Sequence, residues 1–67
     1  MYYYVQIGEW LALAEIRGGH YQPDPVWEYA ARFPTLEGAG RALAVFFASE
    51  WSAGYDPVNA RIVVVED

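Results

Sequence analysis

The chain has no cysteine and no lysine, a single histidine, and no apolar run long enough to cross a bilayer. Each absence closes a class of explanation. Without cysteine there are no disulfides and no thiolate metal sites, and His20 alone cannot assemble a structural metal centre. The longest apolar run, Ala42 to Ala48, falls far short of the ~20 residues of a spanning helix. Four basic residues, all arginine, stand against nine acids, which gives a net charge of −5 without a basic cluster anywhere. A phosphate backbone would repel such a surface, so direct nucleic-acid binding is not expected. A basic protein surface, including one that normally holds nucleic acid, is a fitting partner. The plainer account of the same charge is solubility.

At 67 residues the chain is roughly half the commonest domain size of about 100–150 residues, and residues 1–67 are read as a single domain. A core of this size leaves only about 3–5 kcal/mol of net stability. With neither disulfide nor metal as a staple, stability has to come from close packing or from association. The material for both is present as three Trp, six Tyr and three Phe. The opening Met1-Tyr2-Tyr3-Tyr4-Val5-Gln6 lacks the positive n-region and apolar h-region of a secretory signal, and the expected address is the cytoplasm.

Tyr2 to Ile7 is aromatic and β-branched and ends at Gly8-Glu9. A second apolar stretch runs from Trp10 to Arg17 before Gly18-Gly19. Two short segments around a glycine turn predict a β-hairpin, although the Leu and Ala content of Trp10 to Ile16 would also allow a helix. Pro23 and Pro25 disfavour helix, and His20 to Pro25 reads as an irregular or polyproline-like loop. Val26 to Phe33 favours a third short strand through part of its length, with a helical turn over Glu28–Arg32 as the alternative.

Pro34-Thr35-Leu36-Glu37 predicts a helix start, because Thr35 can accept a hydrogen bond from a first-turn amide and Glu37 sits at the positive end of the helix dipole. The helix is expected to pass through Leu36, Ala39, Ala42, Leu43, Phe46, Phe47 and Glu50 and to end at Gly54. Ala39, Leu43 and Phe47 recur every fourth residue, with Ala42 and Phe46 alongside. Asn59 to Asp67 is then a strand whose four consecutive branched residues suggest central pairing or cover on both faces. The predicted fold class is α+β, a small antiparallel sheet of three to four strands in the order β-β-(β)-α-β with one helix packed across it.

The chemistry-bearing patterns are thin. His20, Asp24 and Glu28 would share a face only on a helix that Pro23 and Pro25 prevent, so they read as loop residues rather than a metal set. Gly38-Ala39-Gly40 invites comparison with phosphate-binding loops, but Leu43 occupies the place of the third small residue and no Walker lysine exists. These glycines are better explained as letting the helix start lie close to the sheet. Ser49, Ser52 and Thr35 have no matched base and acid. Neither catalytic residues nor a cofactor is expected.

What remains is an excess of aromatic residues. One helix on one small sheet can bury Tyr3, Val5, Leu11, Leu13, Phe33, Leu43, Phe46, Phe47, Ile62 and Val64. Tyr2, Tyr4, Trp10, Tyr21, Trp27, Tyr29, Trp51 and Tyr55 are left without a place in that core. Tyr and Trp flanked by acids supply rigid apolar area with a polar handle, as binding hot spots do. Tyr21, Trp27 and Tyr29, with Asp24 and Glu28, are the candidate partner-binding residues. The competing account is that these rings wrap the rim of an undersized core. The run Ile62 to Val65 adds the expectation of a homodimer if it lies on a bare sheet edge.

Trp27, then Arg32-Phe33-Pro34-Thr35-Leu36-Glu37 and the Ala-rich helix after it, give the chain a layout that resembles small acidic phage- and prophage-encoded accessory proteins of the anti-CRISPR type. Such a resemblance implies an inhibitor without a cofactor that occupies a functional surface of a host defence protein in the host cytoplasm. It carries no site residue over, since members of that class bind different targets through different surfaces. The alternative is a small homo-oligomeric structural or regulatory module.

Overall fold

In the computed structural model, which describes residues 1–66, the chain forms strands β1 (Tyr2–Ile7), β2 (Leu11–Arg17) and β3 (His20–Asp24), helix α1 (Leu36–Phe47) and strand β4 (Ala60–Val65). The strands form one antiparallel sheet in the order β3-β2-β1-β4. The α+β architecture is therefore the one predicted, a four-stranded sheet with a helix across it. Gly8 closes the first hairpin at φ +72° and Gly19 the second at φ +85°, backbone conformations that residues with a Cβ rarely adopt. In the second turn the Glu15 carboxylate accepts the Gly19 amide at 3.0 Å.

Strand alternation sorts the side chains onto two faces. Tyr3, Val5 and Ile7 lie opposite Val64, Ile62 and Ala60, while Leu11 pairs with Ile7, Leu13 with Pro23 and Glu15 with Tyr21. This face carries the helix. Val5, Ile7, Leu13, Ala39 and Phe46 form the buried cluster, with Tyr3, Leu11, Tyr21, Phe33, Leu43, Phe47 and Ile62 packed against it. Burying a side chain the size of Val, Leu or Phe contributes about 1.5–3 kcal/mol, so a handful of them holds the domain.

The helix starts as the sequence implies. Thr35 is extended, its hydroxyl oxygen accepts the Gly38 amide at 3.0 Å, and Glu37 lies in the first turn. A Cβ on Gly38 would stand 3.2 Å from the Thr35 hydroxyl oxygen, whereas Gly40 faces open space. The crowding at Gly38 thus comes from the helix cap rather than from the sheet, and Gly40 is needed for neither. The helix stops at Phe47, short of the expected Glu50, because serine hydroxyls take its last carbonyls: Ser49 donates to the Phe46 carbonyl at 2.6 Å and Ser52 to the Phe47 carbonyl at 3.3 Å. A separate 3-10 turn, Glu50–Ser52, follows before Gly54.

Three further expectations are corrected. His20 to Pro25 is largely strand, since a proline is tolerated on an edge where its missing amide faces no neighbour. Val26 to Phe33 is not a strand but a 3-10 turn, Trp27–Tyr29, followed by extended chain that contributes a single bridge, Tyr3 to Phe33. β4 is an edge strand rather than a central or doubly covered one, and Val64, placed in the core by its composition, is 49% exposed. Position 67 of the expected last strand lies outside the described residues.

The loop between β3 and the helix explains how so small a sheet is covered on both sides. β1 and β2 pair only at Gln6–Ala12 and Ile7–Leu11 and separate beyond. Residues 31–33 lie in the gap. The Ala31 amide donates to the Leu13 carbonyl at 2.9 Å, and Tyr3 and Phe33 exchange amide-to-carbonyl bonds of 2.8 Å. Arg32 then sits over the ring of Tyr2 on the face away from the helix, while Phe33 meets Tyr21 on the helix face. The chain passes between the two strands from one face to the other.

Candidate functional site

The far face of the sheet carries Tyr2, Tyr4 and Gln6 from β1 and Arg61, Val63 and Val65 from β4, paired across in register. On the β2 side it narrows to Ala12 and Ala14, both buried. Small residues there leave room for the 3-10 turn to pack against β2. Trp27 stands edge-on to Tyr4, with ring centroids 5.2 Å apart and planes at 78°. The Arg32 guanidinium lies 4.9 Å above the Tyr2 ring centroid. Edge-to-face and cation–π contacts of this kind fix ring orientations by about 0.5–1.5 kcal/mol each.

Upon that base the segment Asp24–Tyr29 forms a ridge. The Asp24 carboxylate accepts the Val26 amide at 2.8 Å, which turns the chain out of β3. Trp27 is 43% and Tyr29 66% exposed, and Glu28 between them is exposed as well. Trp27 is thus a ring held from one side and open on the other. Asp24 and Glu28 lie three residues before it and one after it along the chain.

The structure brings four of the five expected contact residues together and separates the fifth. Tyr21 points to the helix face, tilted against Phe33 with centroids 5.9 Å apart, and packs against the core. Burial, and to a lesser degree the Glu15 carboxylate opposite, raises its phenol above the ordinary value. It supports the fold from the side that Trp27 does not use. Its place two residues before Pro23 gave no such hint while His20 to Pro25 read as a loop, because only a strand has alternating faces.

A second apolar patch lies at the tip of the first hairpin. Trp10 is 75% exposed next to the Gly8-Glu9 turn and borders an open cavity of about 410 Å³ shared with Ile7, Leu11, Tyr55 and Asp56. Val58, nearby in the loop that leads to β4, is 87% exposed. Trp10 and Tyr55 belong to the surplus aromatics, and a turn position is the signal that distinguishes Trp10 from the rings expected to be covered. His20 and Asp24 stand at opposite ends of β3, and among the described residues no three His, Asp or Glu side chains gather into a possible metal set. Nor is any described helix long and apolar enough to cross a membrane. Comparisons with protein-family models, with curated proteins and with solved structures find no match.

Proposed function

We propose that the chain is a non-enzymatic protein-binding module that contacts its partner through the ridge Asp24, Trp27, Glu28 and Tyr29. The observation that carries this reading is Trp27, braced edge-on against Tyr4 yet 43% exposed, beside Tyr29 at 66% and two carboxylates. A ring already fixed loses little freedom on binding, and exposed aromatic area of this kind marks contact surfaces. The acidic rim and the net charge of −5 favour a partner with a basic surface. The resemblance in layout to anti-CRISPR-type accessory proteins favours, as that partner, a host defence protein whose nucleic-acid-handling surface the module would block.

The test is capture of basic host proteins from bacterial lysate at low and at moderate salt. The wild type should retain one basic partner that salt weakens. Trp27→Ala together with Tyr29→Ala, with an unchanged far-UV spectrum, should lose it by tenfold or more, the scale of one hot-spot residue at about 1.4 kcal/mol or above. Equal capture by wild type and variant would remove the assignment to this ridge. A second reading rests on Trp10, the most exposed tryptophan, beside its cavity. In that case Trp10→Ala abolishes capture and the ridge variant does not.

A further inference from the structure

The hydrogen bonds fix which backbone groups of each edge strand face outward. Tyr3 exchanges its amide and carbonyl bonds with Phe33, and so it turns them away from β4; Gly8, in the opposite phase that it shares with Tyr2, Tyr4 and Gln6, gives its amide to the Asn59 carbonyl at 3.0 Å. In an antiparallel ladder such groups alternate. Tyr2, Tyr4 and Gln6 therefore bond Val65, Val63 and Arg61, which leaves the amides of Ile62 and Val64 and the carbonyls of Ala60, Ile62 and Val64 on the outer edge, while the Ala60 amide donates to the Pro57 carbonyl. Among the described residues no strand pairs there.

The opposite edge is guarded. The Leu13 carbonyl is occupied by Ala31 on the side away from β3, so its partner Pro23 stands at the outward phase of β3, where a proline removes the donor a further strand would need. The ladder also shifts register between Glu15 and Arg17. β4 has neither proline nor bulge, and of the usual means of blunting an edge it carries only one charge, Arg61, near its start.

We infer that β4 is a self-association edge, and that its occupant is the β4 strand of a second copy of this chain, paired antiparallel about a two-fold axis normal to the sheet. A strand that fits this edge has to be apolar on both faces, and β4 is: Ile62 and Val64 on the helix face, Val63 and Val65 on the far face. A two-fold pairing centred on Val63 sets Val63 against its own copy and Ile62 against Val64 of the other chain. Outward groups then meet outward groups, as the symmetry requires. Antiparallel pairing also brings the Arg61 end of one strand to the acidic Glu66 end of the other, whereas parallel pairing would stack like charges. Because β3 cannot extend the sheet, assembly closes at eight strands.

This interface is distinct from the proposed contact ridge, and salt tells the two apart. Two copies that each carry −5 repel, so added salt strengthens the dimer while it weakens binding to a basic partner. Sedimentation of the full chain up to about 1 mM should show a monomer–dimer equilibrium, with twice the 7.6 kDa chain mass at the upper end. Hydrogen exchange read by NMR should protect the Ile62 and Val64 amides only in the dimer, and those of Val63 and Val65 at all concentrations. Val64→Pro removes an outward amide without touching the β1 ladder and should weaken dimerisation at least about tenfold. If that variant misfolds, Val64→Lys, at a half-exposed position that tolerates the charge in the monomer, should weaken dimerisation to a similar degree. A strict monomer at about 1 mM, species larger than a dimer, or a dimer that both variants leave intact would overturn the inference.

Discussion

The β3 edge is five residues long, carries Pro23 at an outward-facing position and breaks register near Arg17; the β4 edge is six residues long, regular, and branched at four of its positions. The helix and the Tyr21–Phe33 contact cover the β3 flank, while Val64 at the far end of the β4 flank is half-exposed. One flank is closed by backbone chemistry and by side-chain packing together. The other packs Ala60 and Ile62 against the core but leaves its outer backbone groups unguarded. Edge protection is thus written locally, residue by residue, and a chain can withhold it from one side of the same sheet.

The largest effect that separates the two flanks is expected at Leu13. It is fully buried, faces Pro23 across the ladder, and its carbonyl holds the crossing segment through Ala31. Leu13→Ala should cost about 2–5 kcal/mol, most or all of the about 3–5 kcal/mol that a domain of this size has. Val64→Ala, at a half-exposed edge position, should cost no more than about 0.5 kcal/mol in the monomer. Urea titration followed by circular dichroism measures both. Comparable losses would mean that the β4 flank is as tightly packed as the β3 flank, and the contrast would fail.

A smaller change in stability, with a larger change in assembly, is expected at Pro23. Pro23→Val restores the missing outward donor and returns some freedom to the unfolded chain, so the fold should shift by at most about 1 kcal/mol. The β3 edge would then offer a continuous set of donors and acceptors. Two open edges on one sheet allow growth without closure, and light scattering should report species larger than a dimer. An unchanged size distribution would show that Pro23 guards nothing.

The fold was largely legible in the sequence, but the contrast between its two edges was not. The hairpin about Gly8, the Thr35 cap and the helix face built from Ala39, Ala42, Leu43, Phe46 and Phe47 follow from turn chemistry, capping and period, all of which are local. The position of β4 in the sheet was not, because a run of branched residues fits a central strand and a bare edge equally well. The prolines misled in the other direction. Pro23 forbids a helix and a central strand but not an edge strand, and the difference depends on the phase set by a bond between Ala31 and Leu13. Trp27, Glu28 and Tyr29 were recognisable as a group because they are adjacent. That Tyr21 faces away from them required the alternation of a strand the sequence did not reveal.

The smallest effect is also the most selective for the closed flank. Tyr21 lies opposite Glu15 on β3 and packs under the helix, and burial first, with the Glu15 carboxylate second, raises its phenol above the ordinary value near 10. A raised folded-state value means that the folded chain keeps the proton after the unfolded chain has begun to lose it. The stability this contributes is fully present below about pH 10 and is lost as the pH rises through the folded value. Tyr21→Phe has no proton to lose, so its midpoint in urea should fall less steeply between about pH 9.5 and pH 11 than that of the wild type, while the two fall together below pH 9. Glu15→Gln removes only the second cause and should give an intermediate slope. Parallel curves for all three chains would place the alkaline sensitivity on other tyrosines, and the partly buried Tyr21 phenol would then contribute nothing to it.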